Sequence, residues 1–243
     1  MEKRNGLLAP SIILGLVLII CTLILAGTWR KNYSAQETIT VTGSASKDII
    51  SDLGVFKATL TANAPTQEAA YRKLENEKPI LSLYLKSNGI SSDSIEWNTI
   101  NSYPIYEISP SGHQTSNVRD YVYNQMLQFQ LKDVYKIKKI SVDAASLVEK
   151  DVEINVEQPE YHYTKISGLK IEMQAEAAKD AMIRAEKIAK ATGRSLGPMR
   201  SARMGVIQIT PELSNQVSNY GIDDITSINK EITTVVGASF EIE

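Results

Sequence analysis

Cysteine is nearly absent. The single one, Cys21, falls inside a hydrophobic run, so the remainder of the chain has no thiol and can form neither a disulfide nor a thiolate metal site. Histidine is almost as scarce: His113 and His162 are the two in the chain, and neither has a companion at metal-ligand spacing. No metal and no cofactor is expected. A G-x-S-x-G nucleophile turn, a phosphate-binding loop and a G-x-G-x-x-G fingerprint are all missing. Asp223-Asp224 lacks the alternating ligands of a calcium loop and reads as a solvated turn. Nor is there an excess of one charge: 26 basic and 28 acidic residues leave a net charge of -2. Without surplus Lys and Arg to offset a phosphate backbone, nucleic acid is not an expected partner.

One long run lacks charge altogether. Residues 7–27, LLAPSIILGLVLIICTLILAG, approach the roughly 20 residues needed to cross a bilayer core as helix. Lys3 and Arg4 precede the run, and Trp29, Arg30 and Lys31 follow it, as at a membrane boundary. Small residues at Ala26 and Gly27 leave open secretion after signal cleavage, but the run exceeds the usual signal-peptide core. An uncleaved signal anchor in the inner (cytoplasmic) membrane is preferred. Residues 1–6 are then a cytoplasmic tail, 28–37 a tether and 38–243 a periplasmic or extracellular domain.

Periodicity predicts a mixed domain of strands and helices, preceded by one transmembrane helix. Alternation marks strands over 37–45 and 54–62, the second with Phe56, Ala58, Leu60 and Ala62 facing inward. Thr66 is the expected N-cap of a helix that Asn88 and Gly89 end, with a kink or break at Pro79. A strand over 95–106, a loop over 107–119 and a strand over 120–131 should follow. Asp133 then caps a helix carrying Val134, Ile137, Ile140, Ala144 and Val148, and a strand over 152–158 comes next. The longest helix spans 168–192, with a stripe of Leu169, Met173, Ala177, Ala181, Ala185 and Ile188 and Gly193 as its terminator. Strands over 200–209 and 232–242 flank a polar stretch, 211–231, unusually long for a connection within one domain. That stretch is the expected assembly contact.

Four phrases in order resemble the SIMPL-domain family of exported bacterial envelope proteins: ITVTGSAS, LKSNGISSDSIEWNTINSYPIYE, LKIEMQAEAAKDAMIRAEKIAKATGRSLGPMRS and VVGASFEIE. The resemblance covers most of 38–243. It implies a periplasmic or cell-surface α+β domain, with a mixed, mostly antiparallel sheet and packed helices, and ring-like or channel-like homo-oligomers. Many members have Pro-Asp before the second strand where this chain has Ser51-Asp52, and no family catalytic residue transfers.

These observations point to a non-enzymatic membrane-anchored protein that acts by homo-oligomerisation or by binding envelope proteins. The alternatives are a small-ligand or peptide-binding module linked to envelope stress and a hydrolase assembled from residues distant in sequence. Tyr121, Tyr123, Tyr220, Asp223 and Asp224 are the expected interaction surface, since tyrosine's broad amphipathic ring suits interfaces.

Overall fold

A computed structural model describes residues 8–34 and 37–242, with side chains of the first helix described over 12–28. Residues 1–6, expected as a cytoplasmic tail, Leu7 of the expected span, Ala35 and Gln36 of the expected tether, and Glu243 lie outside these residues. Helix α1, Leu8–Ser34, continues past Gly27 into the stretch read as a tether. Among the described residues no helix is long and apolar enough to cross a membrane.

The rest of the chain forms two compact units, and the division falls inside strands β1, Thr38–Ile50, and β11, Asn229–Ile242. The larger unit holds residues 47–168 and 208–232. Its centre is an antiparallel pair, β2 (Leu53–Ala64) and β5 (Gln114–Leu131), in register from Gly54↔Leu131 to Ala64↔Tyr121. Phe56, Ala58, Leu60 and Ala62 are all fully buried, as their alternation predicts. Across the pair, the Phe56 and Phe129 rings stack at 4.8 Å. Strands β6 (Ile154–Val156) and β7 (Glu160–His162) extend the sheet beside β2. On the far side of β5 the expected single strand over 95–106 is two, β3 (Glu96–Trp97) and β4 (Asn101–Ile108). Both pair with β5, but four positions from Trp97 to Asn101 oppose three from Leu127 to Asn124, so the extra residue bulges and interrupts the ladder. The expected loop over 107–119 is largely strand: β5 begins at Gln114 and β4 reaches Ile108, leaving a tight connection.

Helix α2, Gln67–Ser87, starts where the Thr66 side chain accepts a hydrogen bond from the Ala69 N–H at 3.2 Å. It runs unbroken through Pro79. Leu74 lies before the proline and Leu81 and Leu85 after it, all fully buried, so packing on both sides offsets the roughly 3 kcal/mol an interior proline costs. Helix α3, Val134–Asp143, is capped by Asp133 as expected, but Val148 is exposed and Leu147 takes its place in the core. The cause is a change of period, since residues 144–150 wind as a 3₁₀ helix in which Leu147 follows Ala144 by one turn.

The smaller unit packs helix α4, Ile166–Ala191, from Leu169 onward, on β1, β11 and β8 (Leu196–Met204), three strands of a five-stranded sheet. Its core is made of small residues. Ala177, Ala181 and Ala185 are fully buried and Ala189 nearly so, while Ile188, expected in the stripe, is 46% exposed. A helix turns 3.6 residues, so the buried line passes from Ala185 to Ala189 and leaves Ile188 on the flank. Alanine on the helix is matched by glycine on the strand: a Cβ at Gly43 would stand 2.2 Å from the Ala177 carbonyl oxygen and 2.3 Å from the Ala181 nitrogen. Gly193, at φ +72, ends α4 with the Arg194 N–H donating to the Ala189 carbonyl at 2.9 Å. The strand expected over 200–209 divides at Gly205, where a side chain would meet Val235 at 2.5 Å. It resumes as β9, Gln208–Pro211, in the larger unit, where β10, Ile222–Asp223, pairs with it in parallel.

Candidate interaction surface

The polar stretch after β9 is held to its own unit by backbone bonds. The Asp224 N–H donates to the Ile209 carbonyl at 2.9 Å, Tyr161 N–H to the Ile225 carbonyl at 2.7 Å, and Ser51 N–H to the Ile228 carbonyl at 2.9 Å. Gln208 adds a side-chain bond to the Ser218 carbonyl at 2.7 Å. At the centre is Lys230, 3% exposed, whose ammonium donates to the Tyr161 carbonyl at 2.6 Å and to the Asp224 carbonyl. A buried cation joins the two segments that must meet here, so the loop ends are fixed. Burial lowers the Lys230 pKa, opposed by Asp224 and Asp223. Burial likewise works against the Asp224 carboxylate, but hydrogen bonds from the Thr226 hydroxyl and N–H and from Ser227, with Lys230 nearby, hold its pKa below the usual range.

The same end of the sheet carries other charge-assisted ties. Asp52 accepts from the Thr164 N–H at 2.7 Å and from its hydroxyl at 2.8 Å. Burial opposes ionisation there too, yet these bonds leave the Asp52 pKa lowered. Glu160 pairs with Lys57, the main cause of its lowered pKa, and His162 Nε2 stands 3.3 Å from its other oxygen. These contacts are all satisfied by neighbouring chain, which makes them fasteners. A cavity of about 80 Å³ lies among Tyr161, His162, Tyr163, Asp224 and Lys230, well below the roughly 300 Å³ at which ligand pockets begin. Among the described residues no group of three or more His, Cys, Asp or Glu is placed to hold a metal ion.

From this fixed base the loop projects three apolar side chains into solvent: Leu213 at 89% exposure, Val217 at 82% and Tyr220 at 97%. Leu213 also adopts φ +62, a left-handed backbone that costs a leucine roughly 1–3 kcal/mol. Beside the loop an open groove of about 540 Å³ runs between α3 and residues 226–229, with Tyr135, Lys138, Val142, Pro159 and Glu212 on its walls.

The five residues expected to form one surface occupy two places. Tyr161, at the loop's base, pairs with Gly54, whereas Tyr123 pairs with Ala62 and Tyr121 with Ala64. Eight to ten residues of β2 separate them, about 26–33 Å at a strand's rise. Tyr123 packs on the core and meets Tyr71 of α2 edge-on at 6.1 Å, so that face is covered by the chain's own helix. Tyr220 and Asp223 are exposed; Asp224 turns inward to Thr226. Leu213 and Val217 were visible as isolated apolar residues in a polar run and escaped notice for want of periodicity. Nothing local distinguishes Lys230 from a surface lysine.

Among the described residues, two sheets, one carrying a parallel pair, and four helices define an α+β protein, and the most exposed large apolar side chains, Tyr220, Leu213 and Val217, sit on one loop. Residues 39–237 match the SIMPL family, described as a protein of unknown function (DUF541), and the chain belongs to that family. It is also 28% identical over 179 residues to the uncharacterized protein YggE of Edwardsiella ictaluri (strain 93-146), covering 72% of this chain and 70% of that one.

Proposed function

We propose that this chain is a membrane-anchored, extracytoplasmic, non-enzymatic protein that acts by homo-oligomerisation or by binding other envelope proteins. The observation that carries the reading is the loop tip: Leu213, Val217 and Tyr220 are each more than four-fifths exposed on a segment whose ends are fastened by Lys230. Three large apolar side chains held out on a fixed base suit a contact between proteins, because the ordering cost is already met before association. The apolar run over 7–27 supplies the anchor in the inner membrane, with the two units on the periplasmic or outer side. Mass photometry of the full chain in nanodiscs tests assembly. An oligomer that the combined Leu213→Ser, Val217→Ser, Tyr220→Ser variant dissociates is the expected result. A native chain that stays monomeric and retains no envelope partner on cross-linking removes the reading.

A second reading, a small-ligand or peptide-binding module linked to envelope stress, is favoured by the groove of about 540 Å³, which falls within the size range of ligand sites. Its site is then the α3 groove, not Tyr121 and Tyr123. Protection of Lys138 from amine-reactive labelling by an envelope extract, lost in Val142→Glu, is the expected result.

A further inference from the structure

We infer that the C-terminal half of α4 is a docking face for an anionic phospholipid surface, an inference that rests on the membrane-anchor reading above. Charge is the first observation. The whole chain carries -2, yet residues 179–203 hold seven basic side chains and two acidic ones. Arg184, Lys187, Lys190 and Arg194 are all exposed along the last turns of α4 and just past its end. Such a local excess in an acidic protein is the footprint of an anionic partner.

Chain connectivity supplies the second. Helix α1 ends at Ser34, and Glu37 is three residues further on, so the two are at most about 11 Å apart whatever path the chain takes. Glu37 is itself bound to the end of α4: its carboxylate pairs with Arg194, and its carbonyl accepts from the Ile242 N–H at 3.1 Å. If α1 is anchored, Arg194 is thereby held close to the headgroup layer, and the basic turns preceding it extend only about 15 Å further at a helix's rise. The surface potential reaches about 8–10 Å beyond the headgroups, so Arg194 lies near its range and α4 must lie along the surface to bring Arg184 and Lys187 within it too.

The third observation is an apolar cleft among these cations. Val41, Thr42, Arg184, Lys187 and Ile188 line about 420 Å³, with Ile188 46% exposed. Basic groups around an exposed aliphatic residue match an interface whose outer layer is phosphate and whose inner layer is acyl chain. Acidic neighbours temper the charge: Asp180 pairs with Arg184 at 2.7 Å, Glu186 with Lys190 at 2.7 Å, Glu37 with Arg194 and Glu241 with Arg200, so the excess falls on Lys179, Lys187 and Arg203.

The test uses the full chain with Cys21→Ser and Ile188→Cys, labelled with an environment-sensitive fluorophore and reconstituted into vesicles carrying a headgroup quencher. In vesicles of phosphatidylethanolamine with phosphatidylglycerol, the label should be quenched at least two-fold more than in phosphatidylcholine. That difference should vanish with Lys187→Glu and Lys190→Glu. Equal quenching at 188 in both lipids, no quenching in either, or quenching that scales with protein density, as a second copy would produce, overturns the docking face. Alkaline extraction separates the two claims: release of the chain from the vesicles defeats the anchor, whereas retention with an unquenched label defeats docking alone.

Discussion

The two compact units solve the same problem, covering a sheet with a helix, by opposite means. In the larger, bulky side chains fill the space: Phe56, Leu60, Leu74, Leu81, Leu127 and Phe129 are buried to 1% or less. In the smaller, the backbone itself comes close. Gly43 of β1 meets the Ala177 carbonyl and the Ala181 nitrogen of α4 with no room for a methyl group. The first arrangement draws on apolar area, and the second on close approach, with little area per residue. The two should therefore fail under different substitutions. Truncation should damage the larger unit most, and enlargement the smaller. Phe56→Ala carries the largest expected effect, about 3–5 kcal/mol, because it opens a cavity against Phe129. Hydrogen exchange read separately over β2 and α4 should show the loss concentrated in β2; a uniform loss in both would deny that the units respond independently.

Gly43→Ala is the converse test. The added methyl meets backbone atoms that no rotamer change can move, so a cost of about 3 kcal/mol or more is expected, at the upper end for overpacking. Gly54 in the larger unit is the control. A Cβ there would stand 2.9 Å from Ile137 Cγ1 and 3.1 Å from its Cβ, a side-chain contact longer than the 2.2 Å backbone clash at Gly43, so Gly54→Ala should cost less than Gly43→Ala by chemical denaturation. Equal costs would show that the smaller unit yields as readily as the larger.

Much of the smaller unit was legible from sequence because its helix has a strong signature. Alanine spacing, acid-to-base pairs at Asp180–Arg184 and Glu186–Lys190, and a terminating Gly193 were all local features, and the pairs form at 2.7 Å. The expected stripe ends at Ile188 and the buried one at Ala189, because the helix's turn and not the bulk of the side chain decides which is covered. In the larger unit local signals gave the caps at Thr66 and Asp133, but not the bulge dividing β3 from β4 or the 3₁₀ turn that exchanges Val148 for Leu147. Those follow from pairing with a distant strand and from the limits of helix length. The interaction surface was legible only in part. A long polar stretch announces itself, whereas Lys230 becomes a fastener only when the fold brings Tyr161 to it.

Charge separates the units a second time. Glu77 of α2, in the larger unit, is 4% exposed, and neither of its oxygens has a hydrogen-bond partner. Lys73 stands 3.9 Å away and opposes burial too weakly to keep the pKa down; burial, with the Glu153 carboxylate adding to it, raises it to about 7 from 4.5. The folded state thus binds this proton more tightly than the unfolded one. Its contribution to stability is complete below about pH 4.5, declines as pH rises to about 7, and is gone above that. The difference is on the order of 2–3 kcal/mol. Glu77→Gln should flatten this slope in urea titrations between pH 5 and 8. A slope unchanged in the variant would place the proton elsewhere.

The smallest expected effect tests whether the larger unit's bulky core makes its helix ends matter less. Thr66→Ala removes the hydroxyl that accepts from Ala69 at 3.2 Å and should cost about 1 kcal/mol, the usual worth of an N-cap. Leu74, Leu81 and Leu85 hold α2 to the sheet independently of the cap, so the loss should appear as faster hydrogen exchange in the first turn, residues 67–70, with exchange at Leu81 and Leu85 little changed. If Leu81 and Leu85 also exchange faster by the full amount, the helix opens as one piece from its N-terminus. In that case its side chains do not anchor it turn by turn, and the contrast with the backbone-locked α4 is weaker than the burial pattern implies.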